Sequence, residues 1–159
     1  MAMIPPSLFA ANFSAQAITT ATDLFEMTPA ADRAAIIYGL SLGQTTDLGD
    51  AAEEVLMVGL YRDVTAGSAG TANTEYNYTN AAVGAPTMAT RSLGTASTGG
   101  TLIDIIPWNI RIPLLWIPVP EMRPKFSNIA AEGPVSCFRL IGAPTDSLTV
   151  SAVLYWAEL

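Results

Sequence analysis

The chain has 159 residues, of which 50% are hydrophobic and 13% are charged, and its formal net charge at pH 7 is −7. It contains no histidine, one cysteine and few basic residues, so the commonest general base is missing and no basic stripe could bind phosphate groups. These counts argue against an enzyme, a cofactor or metal site and a nucleic-acid partner, while the length suits one domain with a sizeable core. About a quarter of the residues in a typical soluble domain are charged, so the low charge here indicates that other subunits cover part of the surface.

Residues 1–15 are apolar, include Pro5 and Pro6, and lack the positively charged region with which a signal peptide begins. We predict that they form an extended N-terminal arm, which contacts a partner through Phe9 and Phe13, and that residues 16–159 form a single β domain. No uninterrupted apolar run approaches the roughly 20 residues of a membrane-spanning helix, so no membrane insertion is expected.

Five runs of alternating apolar and β-branched residues, separated by turn residues, are typical of strands. They cover residues 17–27, 35–43, 54–64, 135–142 and 148–159. The last run places five apolar side chains on one face, namely Leu148, Val150, Ala152, Leu154 and Trp156. The second run is predicted to do the same with Ile36, Tyr38, Leu40 and Leu42. Proline-containing turns at 28–32 and 142–146 favour antiparallel neighbours.

Residues 65–100 are mainly small and polar, and we expect two weak strands there, near 75–79 and 87–93, joined by loops. Six to eight short antiparallel strands with almost no helix predict an all-β fold, an antiparallel β-sandwich. Within that class the pattern favours a jelly roll.

Four carboxylates lie close together in the sequence, at Asp47, Asp50, Glu53 and Glu54. Their spacing does not match the EF-hand loop, in which oxygen ligands alternate along the chain and a glycine follows the third. We interpret the segment as a solvated acidic loop, with a weak structural calcium site as the alternative.

Residues 106–124 concentrate two of the three tryptophans and five of the eleven prolines. Read as one strand, the segment places Trp108, Ile110, Ile112, Leu114 and Trp116 on a core face. Its second face is also apolar, with Pro113, Leu115 and Ile117. Because proline cannot donate to a strand ladder, Pro113 and Pro118 predict a sheet edge or a bend. An apolar edge needs cover, so we predict that a neighbouring subunit lies on Pro113, Leu115 and Ile117.

Three stretches carry a family resemblance, at residues 21–62, 108–124 and 138–159. Their most specific parts are GQTTD at 43–47 with GDAAEE at 49–54, PEMRP at 120–124 and AEL at 157–159. The chain resembles small virion proteins of tailed bacteriophages and prophages that have the β-rich character of capsid decoration (cement) proteins. The resemblance implies a homotrimeric jelly roll on the capsid surface of the virion, bound to the major capsid protein after assembly in the bacterial host cytoplasm. Residues 1–17 do not match the family pattern, and the resemblance brings no catalytic residues.

A second interpretation is a carbohydrate- or receptor-binding module of a phage tail or surface structure, because β-sandwiches also host lectins. In that case Tyr61, Tyr76, Tyr78 and the tryptophans would be stacking platforms, and the acidic loop would be a calcium site.

Overall fold

The computed structural model describes residues 7–45, 53–65, 67, 70–79, 85–128 and 135–159. These residues contain no α-helix, and thirteen strands and one short 3-10 helix at Pro120–Met122 make up the regular structure. The strands are β1 (Leu8–Ile18), β2 (Thr22–Thr28), β3 (Ala34–Gln44), β4 (Val55–Thr65), β5 (Thr71–Ala72), β6 (Glu75–Asn77), β7 (Ala89–Ser92), β8 (Gly94–Thr95), β9 (Thr98–Asn109), β10 (Leu114–Trp116), β11 (Lys125–Ser127), β12 (Ser136–Leu140) and β13 (Leu148–Glu158). In the described ranges no helix is long and apolar enough to cross a membrane.

The strands form two antiparallel sheets that pack face to face. The first sheet has the order β10-β3-β13-β1-β6, with β11 also paired to β3, and the second has the order β5-β7-β2-β12-β4-β9, with β8 also paired to β2. Apart from the short strands β5 to β8, the chain crosses between the sheets at almost every connection. The central orders β10-β3-β13-β1 and β2-β12-β4-β9 are those of two interleaved Greek keys, the jelly-roll arrangement. The predicted β-sandwich and jelly roll are therefore confirmed.

The core lies between the two sheets and follows the alternation of the long strands. In β13 the predicted face is buried throughout, with Leu148, Val150, Ala152, Leu154 and Trp156 at most 2% exposed. The second sheet contributes Phe25, Leu60, Trp108 and Phe138 to the same cluster. Each large apolar side chain that is fully buried contributes about 1.5–3 kcal/mol, so this one cluster holds the sheets together.

Strand β3 departs from its predicted pattern because of a β-bulge. Gly39 pairs with Tyr155 and Ile37 pairs with Trp156, so Tyr38 is an extra residue between them. The phase of the strand changes there, since an extra residue moves the following side chains to the other face. Ile37, Leu40 and Leu42 are buried in the core, whereas Ile36 and Tyr38 are half-buried.

The arm predicted over residues 1–15 is corrected by strand β1. From Leu8 onward the chain pairs with β13 on one side and with β6 on the other, and residues 1–6 lie outside the described part. Phe9 and Phe13 are only 5% and 8% exposed, because the alternation Phe9, Ala11, Phe13 gives β1 a core face. The N-terminal segment is thus an integral strand of the sandwich from residue 8.

The proline-rich segment 106–124 contributes to two strands, which lie in different sheets. Strand β9 ends at Asn109 on the edge of the second sheet, and β10 begins at Leu114 on the edge of the first. The turn between them is closed by Asn109, whose side-chain oxygen accepts the Arg111 amide at 3.0 Å and whose carbonyl accepts the Ile112 amide at 3.0 Å. The single-strand prediction is wrong at Ile112, which is exposed in this turn, whereas the predicted bend and sheet edge are both present.

Candidate interaction surface

Four large apolar side chains on and just after strand β10 are exposed to solvent. Leu115 is 65% exposed and Ile117 is 62% exposed, and Val119 and Met122 beyond them are also exposed. We refer to these four residues as the β10 surface. Leu115 and Ile117 line one groove together, and exposed apolar side chains that cluster on a protein surface often mark interaction sites.

The pairing of β10 explains why this surface is apolar on the outside. Leu114, Leu115 and Trp116 pair with Leu42, Ser41 and Leu40 of β3, so alternate side chains point to opposite faces. Leu114 and Trp116 pack against the core, where the Trp116 ring meets the Phe138 ring edge-on at 5.4 Å. Leu115 is thereby directed away from the core.

A shallow groove continues the β10 surface onto the outer face of the first sheet. It has a volume of about 260 Å³ and is lined by Leu8, Tyr38, Gly39, Leu115, Ile117, Arg123 and Tyr155. Gly39 is required there, since a Cβ atom at this position would lie 2.9 Å from the Trp116 carbonyl oxygen. The absence of a side chain lets residues 116 and 117 pass close over the sheet.

Aromatic and cationic contacts give the groove a fixed shape. The Arg123 guanidinium lies 4.0 Å from the centre of the Tyr38 ring, a cation–π contact. The Tyr78 ring meets the Tyr155 ring edge-on at 5.3 Å, and burial, followed by the nearby Tyr78, raises the pKa of the Tyr155 hydroxyl. Tyr155 therefore stays neutral at physiological pH.

The structure separates the five residues predicted to contact partners. Pro113, Leu115 and Ile117 are exposed and lie together after the turn between β9 and β10. Phe9 and Phe13 are in the core, where their rings lie 6.0 Å from Trp156 and 5.3 Å from Phe25. They are corrected to core residues, because a buried ring is not available to a second molecule.

Three groove residues, Tyr38, Tyr155 and Arg123, were not predicted as partner contacts. The sequence signals for two of them are the PEMRP segment at 120–124, which contains Arg123, and the Tyr38-Gly39 pair, in which a large side chain precedes a residue with none. The prediction that tryptophans act as exposed stacking platforms is wrong, since Trp108 and Trp156 are buried and Trp116 is half-buried. Tyr61 is half-buried beneath Arg139, and Tyr76 and Tyr78 are exposed.

A cluster of polar side chains on the outer side of the second sheet includes a cysteine, a residue type that is often reactive, but this thiol is held in its protonated form. Asp23 pairs with Arg139 at 2.8 Å and accepts the Ser97 backbone amide at 2.7 Å, and the Ser97 hydroxyl lies 3.4 Å from the Cys137 sulfur. Burial, and then the charge of Asp23, raise the pKa of the Cys137 thiol to about 12. A buried thiol that stays protonated is a poor nucleophile.

The acidic segment predicted as a loop or calcium site is only partly described, since Asp47 and Asp50 lie outside the described residues. Glu53 accepts a hydrogen bond from the Asn109 side-chain amide at 2.9 Å, and Glu54 accepts one from the Thr145 hydroxyl at 2.8 Å. Among the described residues, no group of three or more histidine, cysteine or carboxylate side chains could hold a metal ion. Glu53 and Glu54 thus tie neighbouring turns together.

Comparison of the chain with protein-family models, with curated proteins and with solved structures finds no match. The role of the protein is therefore inferred from its fold, from the β10 surface and from the sequence resemblance.

Proposed function

We propose that the protein is a non-enzymatic virion structural protein, a capsid decoration (cement) protein of a tailed bacteriophage. It forms a homotrimer on the capsid surface, binds the major capsid protein and stabilises the head lattice. The observation that carries this proposal is the exposed apolar β10 surface on a strand that ends its sheet.

The chemistry of the β10 surface suits a protein partner. Interface centres are poor in charge and rich in aromatic residues, methionine and arginine. The β10 surface provides Leu115, Ile117 and Met122, and the groove that continues it adds Tyr38 and Arg123. Rigid aromatic and arginine anchors of this kind provide most of the binding energy in many interfaces. A stable interface buries about 800 Å² on each partner, so the four residues would form the centre of a larger contact.

The fold and the composition support the same function. The two open sheets leave four edge strands, β10 and β6 in the first and β5 and β9 in the second, and pairing or packing against other subunits is one way in which proteins cover such edges. The low content of charged residues agrees with a chain that buries much of its surface after assembly.

Two substitutions test the proposal, Leu115→Asp and Ile117→Asp, each of which places a charge at the centre of the surface. Thr20→Asp is the control for an added surface charge, because Thr20 is exposed between β1 and β2 and lies on no edge strand of either sheet. We expect the native protein and the control to sediment as trimers at tens of micromolar and to bind capsids that lack the decoration protein.

The two β10 variants are expected to sediment as monomers and to lose capsid binding. Their melting temperatures should stay close to that of the native protein at concentrations where it is monomeric, since neither side chain belongs to the core. Native protein that is monomeric and fails to bind capsids, or unchanged mass and binding in both variants, would overturn the proposal.

A further inference from the structure

Two clefts share Asn12, Phe13 and Ser14 of strand β1, and none of the four residues of the β10 surface lines either of them. The first cleft, of about 340 Å³, is lined by Asn12, Gln16, Asn73, Thr74 and Tyr76 among others, and residues of β5 and β7 in the second sheet form part of its wall. The second, of about 390 Å³, is lined by Asn12, Ser14, Ser41, Gly43 and Ser151 among others, and so crosses β1, β13 and β3. We call the two clefts together the β1 groove.

We propose that the β1 groove binds a neutral oligosaccharide. Every described residue that lines either cleft is uncharged, and the lining offers amides, hydroxyls and one exposed aromatic ring beside apolar surface from Leu93, Ala152 and Val153. Hydroxyls and amides both donate and accept hydrogen bonds, which matches the hydroxyl groups of a sugar. The exposed Tyr76 ring supplies an apolar platform with a polar tip for the face of a pyranose.

One wall of the groove is held rigid by a network of hydrogen bonds. The Asn73 side chain donates to the Thr90 hydroxyl at 3.2 Å and accepts from the Ser92 hydroxyl at 2.8 Å. Glu75, next to Tyr76, accepts both the Thr90 amide and the Thr90 hydroxyl at 2.9 Å. These bonds fix β5 and β6 to β7, so Tyr76 is presented from a framework that needs no ordering when a ligand binds.

The backbone is strained where it forms the groove. Ala15 has φ of 50° in the bulge of β1 between Ser14 and Gln16, and Leu93, which lines the first cleft, has φ of 58°. The left-handed region costs residues with side chains about 1–2 kcal/mol, and such strain concentrates at binding sites. The bulge is pinned by the Ala15 amide, which donates to the Ser151 hydroxyl at 2.9 Å. It turns Ser14 and Gln16 outward, and Gln16 is fixed by its bond to the Ser14 carbonyl.

The combined volume of the two clefts suits a chain of several sugar units better than a monosaccharide. Tyr76 lines only the first cleft, and Gly43 lines only the second, where a Cβ atom at position 43 would meet nothing within 4 Å. That open space can be filled by a larger side chain without disturbing the fold. Substitution of Gly43 therefore fills the second cleft and leaves the first cleft unchanged.

Binding is tested on an array of neutral and acidic glycans, followed by titration calorimetry with the best neutral hexasaccharide and its disaccharide. We expect millimolar or tighter binding of the hexasaccharide, and Tyr76→Ala and Asn12→Ala should each weaken it by about tenfold or more. Tyr78→Ala is the matched control, since Tyr78 is an exposed tyrosine two residues away that does not line the groove. It should bind like the native protein.

Gly43→Leu separates a long ligand from a short one. This variant should weaken binding of the hexasaccharide and leave binding of the disaccharide, which is held at Tyr76, unchanged. No neutral glycan bound at millimolar concentration, binding only of acidic glycans, or equal binding by the Tyr76→Ala and Tyr78→Ala variants would overturn the proposal. Tyr76→Ala, Asn12→Ala and Gly43→Leu change no residue that lines the groove beside the β10 surface, so their outcome is independent of the assembly tests. The oligomer mass of Tyr78→Ala is measured separately, because the Tyr78 ring contacts Tyr155 in that groove.

Discussion

At the scale of single residues, the ion pair between Asp23 and Arg139 is the feature that is hardest to predict from the sequence. Both residues interrupt apolar runs and would be expected to face solvent, yet the Asp23 side chain is fully buried and that of Arg139 is 12% exposed. They are brought together by the pairing of β2 with β12, whose partners are more than a hundred residues apart. Periodicity assigns each residue to a face but cannot show that a loop around Ser97 covers that face.

Removing one partner of this ion pair should be costly. Arg139→Met leaves the Asp23 carboxylate buried without its cation, and we expect the free energy of unfolding to fall by about 3–5 kcal/mol. The double variant Asp23→Asn with Arg139→Met should recover a large part of that loss, because no uncompensated charge is left. Urea unfolding of the two variants and the native protein measures both effects, and a loss below about 1 kcal/mol in Arg139→Met would contradict a buried pair.

Glu26 should make the folded protein less stable as the pH rises, whereas a carboxylate that is stabilised by folding makes it more stable. Burial raises its pKa above the ordinary value of 4.5, and the nearby Asp23 adds to this, although the Gly67 amide that donates to Glu26 at 2.7 Å opposes it. A carboxyl whose pKa is higher in the folded state stabilises the fold fully below its unfolded pKa. That stability is lost as the pH rises through the folded pKa.

Glu26→Gln should remove this dependence. The glutamine oxygen can still accept the Gly67 amide, and no charge is desolvated, so the variant should melt at a higher temperature than the native protein at pH 7. The difference should shrink as the pH is lowered toward 4.5 and below. Melting temperatures of both proteins between pH 4 and pH 8 provide the test, and parallel curves would show that Glu26 contributes no such term.

At the scale of elements, strand β10 depends on a close approach to β3. A Cβ atom at Gly39 would meet the Trp116 carbonyl oxygen at 2.9 Å, whereas one at Gly43 on the same strand meets nothing within 4 Å. We expect Gly39→Ala to destabilise the fold by about 1–3 kcal/mol, because the contact is with backbone that has to shift. Gly43→Ala is the control and should be neutral or slightly stabilising. Urea unfolding compares them, and equal stabilities would mean that β10 does not pass so closely over β3.

The two strands β9 and β10 explain why the sequence predicts some elements and misses others. Trp108 on β9 and Trp116 on β10 both point inward, so the period-2 pattern continues across the turn as if there were one strand. The pattern records which side chains face the core and carries no information on which sheet they come from. Strand β13, whose buried face is uninterrupted, was therefore predicted correctly, and the turn at Ile112 was not.

The residues of the candidate surface likewise fall into two groups, those that the sequence could predict and those that it could not. Leu115 and Ile117 could be predicted because they alternate with core residues in a proline-rich segment. Tyr38 and Tyr155 could not, since they reach the groove through pairing between β3 and β13, which are more than a hundred residues apart. Local alternation likewise did not distinguish a core face from a partner-binding face at Phe9 and Phe13.

At the scale of the whole molecule, the jelly roll joins the two ends of the chain. Strand β1 pairs with the last strand, β13, from Leu8↔Ala157 to Ile18↔Leu148, and also with β6. It contributes Phe9, Ala11, Phe13 and Ile18 to the core. An arm that only contacted partners could be removed without loss of the fold, whereas a central strand cannot.

Deletion of residues 1–18 therefore distinguishes these two roles. We expect the shortened chain to be unfolded or aggregated, because β13 loses a neighbour along almost its whole length and four side chains of the core cluster are removed, each large one contributing about 1.5–3 kcal/mol. These losses together are comparable to the 5–15 kcal/mol total stability of a typical domain, so partial destabilisation is not the expected result. Deletion of residues 1–6 is the matched control, since it removes none of the described pairings. Circular dichroism and urea unfolding of both chains decide the matter. A cooperative unfolding transition in the chain that begins at residue 19 would show that β1 is dispensable and would restore the role of an arm.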